Sequence, residues 1–226
     1  MKSDNIILRS ENIIKPLAIE PLNGNAMLIY EMNKRIFDIT MSGLGLMILS
    51  PFFLLIAIAV KLSSKGPVFY SQKRVGRLNR DFKIFKFRTM KNDNDDDYPL
   101  TVGEYDKRVT PLGRYLRRYK LDELPQLFNV LIGDMSLVGP RPVLRKFVNY
   151  YTSDDMQILD VRPGITDYAS IKYRHEGRIL AKAEDPLEYY LRVIMPDKIK
   201  LNKLYIQNMS FAVDIKLILN TLVSKK

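Results

Sequence analysis

Adjacent carboxylates at Asp122 and Glu123 stand in a cationic stretch, with Lys107, Arg108, Arg114, Arg117, Arg118 and Lys120 before them and Arg141 after. A solvated helix face rarely needs so many unmatched cations. Two fixed carboxylates ringed by them suit a site that receives a phosphate and attacks it. The cations neutralise the incoming oxygens and let an anionic nucleophile approach. The plainer reading makes Asp122 a helix N-cap and Glu123 a first-turn acid. Position alone favours that reading, and the surrounding charge favours chemistry.

The elements that must hold the pair can be read from the same stretch. Thr110 caps and Pro111 opens a helix whose Leu112, Tyr115, Leu116 and Tyr119 fall on one apolar face. A second helix begins at the acids, with Pro125 in its first turn. Leu124, Leu127, Phe128 and Leu131 lie at helical spacing, and Gly133 is its stop. The unpaired N–H groups of that helix start would hold the carboxylates ionised.

Upstream, Ile39 to Val60 passes without a charge for about 22 residues, enough at ~1.5 Å each to reach across a bilayer core. Two features argue against a simple span. Ser50 and Pro51 lie near its middle, where proline removes a backbone hydrogen bond and bends or breaks the helix. Both flanks are basic, with Lys34 and Arg35 before it and Lys61, Lys65, Lys73, Arg74, Arg77 and Arg80 after it, so each end favours the cytoplasm. A re-entrant helix over about residues 36–62 meets both observations, the Ser50 hydroxyl helping to satisfy a freed carbonyl. A proline-kinked span is the alternative.

Gly66 to Met90 reads as a β-hairpin turning near Gly76 and Asn79. Its second strand alternates so that Lys86 and Arg88 share a face and can meet one anionic ligand. Asp93, Asp95, Asp97 and Glu104 have a calcium-loop spacing, but Tyr98 stands where the glycine belongs, so a solvated loop is expected. Glu184 to Leu222 reads as helices broken at Pro196 and near Ser210. Ser210 can cap the last, whose Phe211, Ile215, Ile218 and Leu222 line one side.

The composition narrows the chemistry. The chain has 226 residues and a formal net charge of +11, with a pI near 9.6, so a polyanionic or phosphorylated partner is expected. It holds no cysteine and a single histidine, His175, which excludes disulfides, thiolate chemistry and two-histidine metal sites. One domain is expected over residues 34–226, preceded by a loosely ordered extension over residues 1–33 that carries no signal-peptide pattern.

The chain resembles the bacterial sugar transferases, the monotopic phosphoglycosyl transferases acting on polyprenyl phosphate, in their short form. The likeness runs from about Asn33 to the C-terminus. It is carried in order by Lys34-Arg35-x-Phe37-Asp38, Ser50-Pro51, Phe85-Lys86-Phe87-Arg88-Thr89-Met90, Arg108-Val109-Thr110-Pro111-Leu112-Gly113, Leu121-Asp122-Glu123-Leu124-Pro125-Gln126, Gly133-Asp134-Met135-Ser136-Leu137-Val138-Gly139-Pro140-Arg141-Pro142 and Arg162-Pro163-Gly164-Ile165-Thr166. The resemblance implies an α+β, mostly helical monotopic membrane protein with a proline-broken re-entrant helix, a β-hairpin and a compact cytosolic catalytic domain. That domain would sit on the cytoplasmic face of the bacterial inner membrane.

The implied reaction moves a sugar 1-phosphate from a UDP-sugar to polyprenyl (undecaprenyl) phosphate, giving polyprenyl diphosphosugar and UMP. Asp122 matches the family's nucleophile, which forms a covalent phosphosugar intermediate, and Glu123 its supporting acid. A magnesium ion with Asp122 among its ligands is implied. Lys86, Arg88, Arg118 and Arg141 are the candidate phosphate contacts. Membrane lipids are expected partners and nucleic acid is not. After Thr166 the chain departs from the commoner Gly-Trp-Ala-Gln-Val-Asn-Gly-Arg, reading Asp167-Tyr168-Ala169-Ser170-Ile171-Lys172-Tyr173-Arg174 where the nucleotide-sugar is expected nearby. The contrasting expectation is a non-catalytic, membrane-anchored basic module that holds anionic lipid or nucleic acid by charge.

Overall fold

A computed structural model describes residues 24–91, 100, 102–103 and 106–223. The acidic Asn92–Asp97 loop and the first 23 residues lie outside the described residues. The fold is mostly helical, with two small two-stranded sheets and one long apolar helix near the N-terminus.

That helix, α1, runs from Gly24 to Ser63 as one continuous helix with Pro51 inside it, where a bend or break was expected. Its 40 residues extend about 60 Å if straight. Pro51 cannot donate to the carbonyl of Met47, and the Ser50 hydroxyl donates to that oxygen at 2.8 Å instead. Residues 24–33, placed in the extension by sequence, are the first turns of this helix, and Tyr30 among them is buried.

Both ends of α1 are packed into the rest of the chain. Tyr30 joins a core with Val138, Tyr168, Leu201, Tyr205, Val213 and Leu217. Ile56 and Val60 join another with Phe87 and Leu116. Between these ends Met47, Ile48, Leu54 and Leu55 are each more than half exposed, an apolar flank left bare along the helix.

Strands β1 (Phe69–Val75) and β2 (Asp81–Phe87) form the expected antiparallel hairpin, pairing Tyr70 with Lys86 and Arg74 with Phe82. Helix α2 (Pro111–Arg118) starts as read from sequence, with Gly113 N–H donating to Thr110 Oγ1 at 2.9 Å. Only Gly113 and Leu116 of α2 are buried, and Tyr115 turns outward against Tyr119.

A 3₁₀ turn, Leu121–Glu123, carries the acids before α3 (Gln126–Ile132) begins, so the carboxylates precede that helix by several residues. Gly133 ends α3 at φ 101°, a conformation that suits glycine. The leucine stripe of α3 packs on α1, Leu127 meeting Gly45 and Leu131 meeting Gly43. Its polar Asn129 faces inward instead. Asn129 accepts from Phe85 N–H at 3.0 Å and donates to the Lys83 carbonyl at 2.7 Å, fixing β2 to α3.

Strand β3 (Ser136–Val138) pairs in parallel with β4 (Gly164–Thr166). The two backbones meet at Gly139 and Gly164, where a Cβ on Gly164 would stand 2.1 Å from Gly139 N. Helices α4 (Arg145–Val148), α5 (Tyr168–Lys172), α6 (Glu176–Leu180) and α7 (Pro186–Tyr189) are short, and α8 (Met195–Gln207) and α9 (Phe211–Val223) complete the fold. Pro196 does not break the chain's path, because a wide π turn over Tyr190–Ile194 leads into α8. Ser210 does cap α9, accepting from Val213 N–H. The buried residues of α9 are Val213, Asp214 and Leu217, so the stripe expected through Phe211 and Leu222 lies off the packed face.

Candidate active site

The short turn that presents the acids is tightly made. Lys120 adopts a left-handed φ of 58° just before it, a conformation costing about 1 kcal/mol for a residue with a Cβ. Asp122 is 6 % exposed. Its Oδ1 is buried and has no hydrogen-bond partner among the described residues.

Glu123 is held quite differently. Lys86 Nζ, from β2, donates to its Oε1 at 2.8 Å. Arg141 grips it from the Gly-Pro-Arg-Pro segment, NH1 donating to Oε2 at 3.2 Å and NH2 donating to Oε1. The hairpin and the loop after β3 thus converge on one carboxylate.

The electrostatics of the two acids diverge accordingly. Burial pushes the Asp122 carboxyl above the ordinary aspartate range, and the charge of Glu123 adds to this, against the pull of Lys86, Arg117 and Lys120. Burial alone would raise Glu123 too, but Arg141, Lys86 and Lys120 outweigh it and hold that carboxyl well below the ordinary range. Glu123 is therefore the fixed charge and Asp122 the unsatisfied one.

Of the sequence-derived candidates, Lys86, Glu123 and Arg141 meet beside Asp122. Arg88 is turned elsewhere. Its guanidinium donates to the carbonyls of Val60 at 3.2 Å, Ser64 at 2.7 Å and Pro67, closing the end of α1. The alternation that put Lys86 and Arg88 at one ligand fails because β2 ends at Phe87. Arg118 is exposed, and its neighbour Arg117 is the one partly buried, donating from Nε to Thr89 Oγ1 at 2.8 Å.

Ser50 and Pro51 lie in α1 beside Phe53, whose ring packs on Phe87 and Phe128 and so reaches both β2 and α3. The wall of the site also contains Asp167, which sequence reading did not single out. It is fully buried, caps α5 by accepting from Ser170 N–H at 2.5 Å, and accepts Arg141 N–H on its other oxygen at 3.1 Å. An Asp three residues before a serine was a legible cap signal; its grip on Arg141 was not.

Among the described residues no group of three or more His, Cys, Asp or Glu side chains is placed to hold a metal ion. The unpartnered Asp122 oxygen is the atom that fits a hard cation which draws its remaining ligands from substrate phosphates.

A family model described as bacterial sugar transferase matches residues 29–225. The chain is 42 % identical over 212 residues to a UDP-glucose:undecaprenyl-phosphate glucose-1-phosphate transferase of Klebsiella pneumoniae, covering 92 % of this chain and 42 % of that protein. It is 38 % identical over 197 residues to a UDP-N-acetylgalactosamine-undecaprenyl-phosphate N-acetylgalactosaminephosphotransferase of Aeromonas hydrophila, covering 86 % and 44 %. The exopolysaccharide production protein ExoY of Rhizobium meliloti is 34 % identical over 220 residues, covering 91 % of this chain and 87 % of that protein. The chain thus spans less than half the length of the first two relatives.

Proposed function

The chain belongs to the bacterial sugar transferase family, and from that premise we propose that it transfers a sugar 1-phosphate from a UDP-sugar to undecaprenyl phosphate. The observation that carries the chemistry is the pairing of an unpartnered, buried Asp122 with a neighbour, Glu123, that already holds Lys86 and Arg141 in place. In the first half-reaction an Asp122 oxygen attacks the sugar-bearing phosphorus. A new P–O bond forms to the carboxylate, and the bond to the bridging oxygen breaks, releasing UMP. In the second, an oxygen of the lipid phosphate attacks that phosphorus, and the bond to Asp122 breaks to restore the carboxylate.

Glu123 keeps Lys86 and Arg141 ionised and aimed, so that both can neutralise phosphate oxygens without reorganising. Arg118, exposed on α2, would contact phosphate only where substrate extends past the buried acids, whereas Arg88 acts through the end of α1. Asp122 Oδ1 is the protein atom that would hold magnesium, which when bound supplies charge neutralisation at the diphosphate. The relatives' names differ in the sugar, so the proposal extends to UDP-sugars as a class.

The membrane reading is monotopic, at the cytoplasmic face of the inner membrane. It is supported by the docking of both ends of α1 into one folded body, through Lys34 and Asp214 at one end and Arg88 and Val60 at the other. A helix spanning the bilayer would have to send those ends to opposite sides. The bare apolar flank of α1 is the surface that would enter the lipid, and re-entry would require α1 to bend at Pro51, where its hydrogen-bond ladder lacks a donor.

The test is UMP release by the detergent-solubilised full chain with magnesium, undecaprenyl phosphate and a panel of UDP-sugars, beside Asp122→Asn. Release with at least one sugar, reduced by about 10³-fold or more in the variant, is expected. Equal release by the variant would overturn the assignment of Asp122.

A further inference from the structure

A second guanidinium stands beside Arg141 without a counterion. The end of β1 is laced to the Gly-Pro-Arg-Pro segment by Val75 N–H donating to the Val143 carbonyl at 2.9 Å and by Arg74 NH1 reaching the Pro142 carbonyl at 3.4 Å. That lacing brings Arg74 up to Arg141. Cross-strand pairing puts Tyr70 and Arg74 on the same hairpin face as Lys86.

The partners Arg74 does have are neutral. NH2 donates to Gln72 Oε1 at 2.8 Å, NH1 reaches the Pro142 carbonyl, and its buried Nε has no partner. Among the described residues no carboxylate forms an ion pair with it. Glu123 is the carboxylate that acts on its charge, and both Glu123 oxygens are already taken by Arg141 and Lys86. Burial, then the like charge of Arg141, push the Arg74 guanidinium down to about 10.

A half-buried cation with an enclosed, unpartnered Nε, held against another cation, is costly unless an anion completes the pair. Arginine offers five donors in a planar fork that matches phosphate oxygens, so it can keep its present neutral contacts and still receive a ligand.

We infer that Arg74 is a substrate-contacting residue of this site, forming with Arg141 a two-guanidinium clamp on phosphate oxygens, a role that rests on the sugar-phosphate transfer proposed above. The phosphate can belong to the nucleotide diphosphate or to the lipid monoester. The chemistry of recognition is the same for both.

The clamp is tested by ligand-dependent thermal shift of the detergent-solubilised full chain, titrated separately with UDP and with undecaprenyl phosphate. Wild type, Arg74→Gln, Arg74→Lys and Asp122→Asn are compared. Arg74→Gln is expected to weaken binding of at least one ligand by about 10- to 100-fold, with Arg74→Lys between it and wild type. Loss with UDP alone places the donor diphosphate in the clamp, and loss with the lipid alone places the acceptor there.

A variant that melts earlier yet binds both ligands like wild type would overturn the inference, making Arg74 a packing residue only. Asp122→Asn reports on the parent reading independently. Undiminished turnover there defeats the Asp122 mechanism while leaving the Arg74 affinities to be read on their own.

Discussion

Asp214 and Asp122 are both carboxylates buried among cationic and hydroxyl-bearing neighbours, 2 % and 6 % exposed, yet they are finished in opposite ways. Asp214 has each oxygen occupied. Tyr205 Oη donates to Oδ1 at 2.8 Å, and Tyr30 Oη and Lys34 Nζ donate to Oδ2 at 2.8 and 2.6 Å. That cluster fastens the start of α1 to α8 and α9. Asp122 lies among Lys86, Arg117 and Lys120, but its Oδ1 accepts nothing. A fully bonded buried carboxylate stabilises the fold, whereas an incompletely bonded one keeps its nucleophilic lone pairs at the expense of stability.

Exchanging each acid for its amide sharpens this contrast most. Asp214→Asn strips the charge that Lys34 is buried against and is expected to cost about 3 to 5 kcal/mol of stability. Turnover per folded molecule should persist. Asp122→Asn should do the reverse, abolishing turnover while raising stability by about 1 kcal/mol. Denaturant melts and UMP release on the same preparations check both. A destabilised Asp122→Asn would break the comparison.

A smaller effect follows from acidity. The Asp122 carboxyl is raised above its ordinary value of 3.8, so ionising it in the fold costs stability. That penalty is absent below the unfolded value and grows as pH rises through the folded one, which is why the amide should stabilise at neutral pH. The proposed attack by Asp122 needs the ionised form, so the acid limb of turnover should lie above 3.8, and Arg117→Met should move that limb further up by removing a cation that favours ionisation. Glu123 runs oppositely. Its carboxyl is held well below 4.5, and the stability it contributes is present above that value and lost only as pH falls through the lower, folded one. A pH–rate profile whose acid limb is unmoved in Arg117→Met would contradict this electrostatic account.

What the sequence made legible is what neighbours along the chain decide. The Thr110 cap, the Pro111 start, the Gly133 stop, the Ser210 cap and the hairpin all depend on residues a few positions apart, and each formed as read. The acid pair stood out because its type and charge surroundings are local too. Partners chosen by tertiary packing were not. Arg88 was expected at a phosphate but serves carbonyls at the end of α1 and just after it, more than twenty residues back in the chain. Arg117 rather than Arg118 turns inward, where Thr89, 28 residues back in the chain, offers its hydroxyl oxygen to Nε. Arg74 meets Arg141 only through the lacing of β1 to a distant loop. The continuous α1 teaches a related lesson: a serine beside the proline satisfies Met47, so a residue that breaks helices by rule is carried within one.

The most direct test is to incubate the detergent-solubilised full chain with magnesium and a UDP-sugar it accepts, without lipid phosphate, and to map any adduct by peptide mass. The account predicts a sugar phosphate on the peptide at Asp122, with UMP released in proportion to the adduct and the adduct lost on adding undecaprenyl phosphate. Steady turnover in the presence of lipid with no adduct in its absence, or an adduct on Glu123 instead, would contradict it.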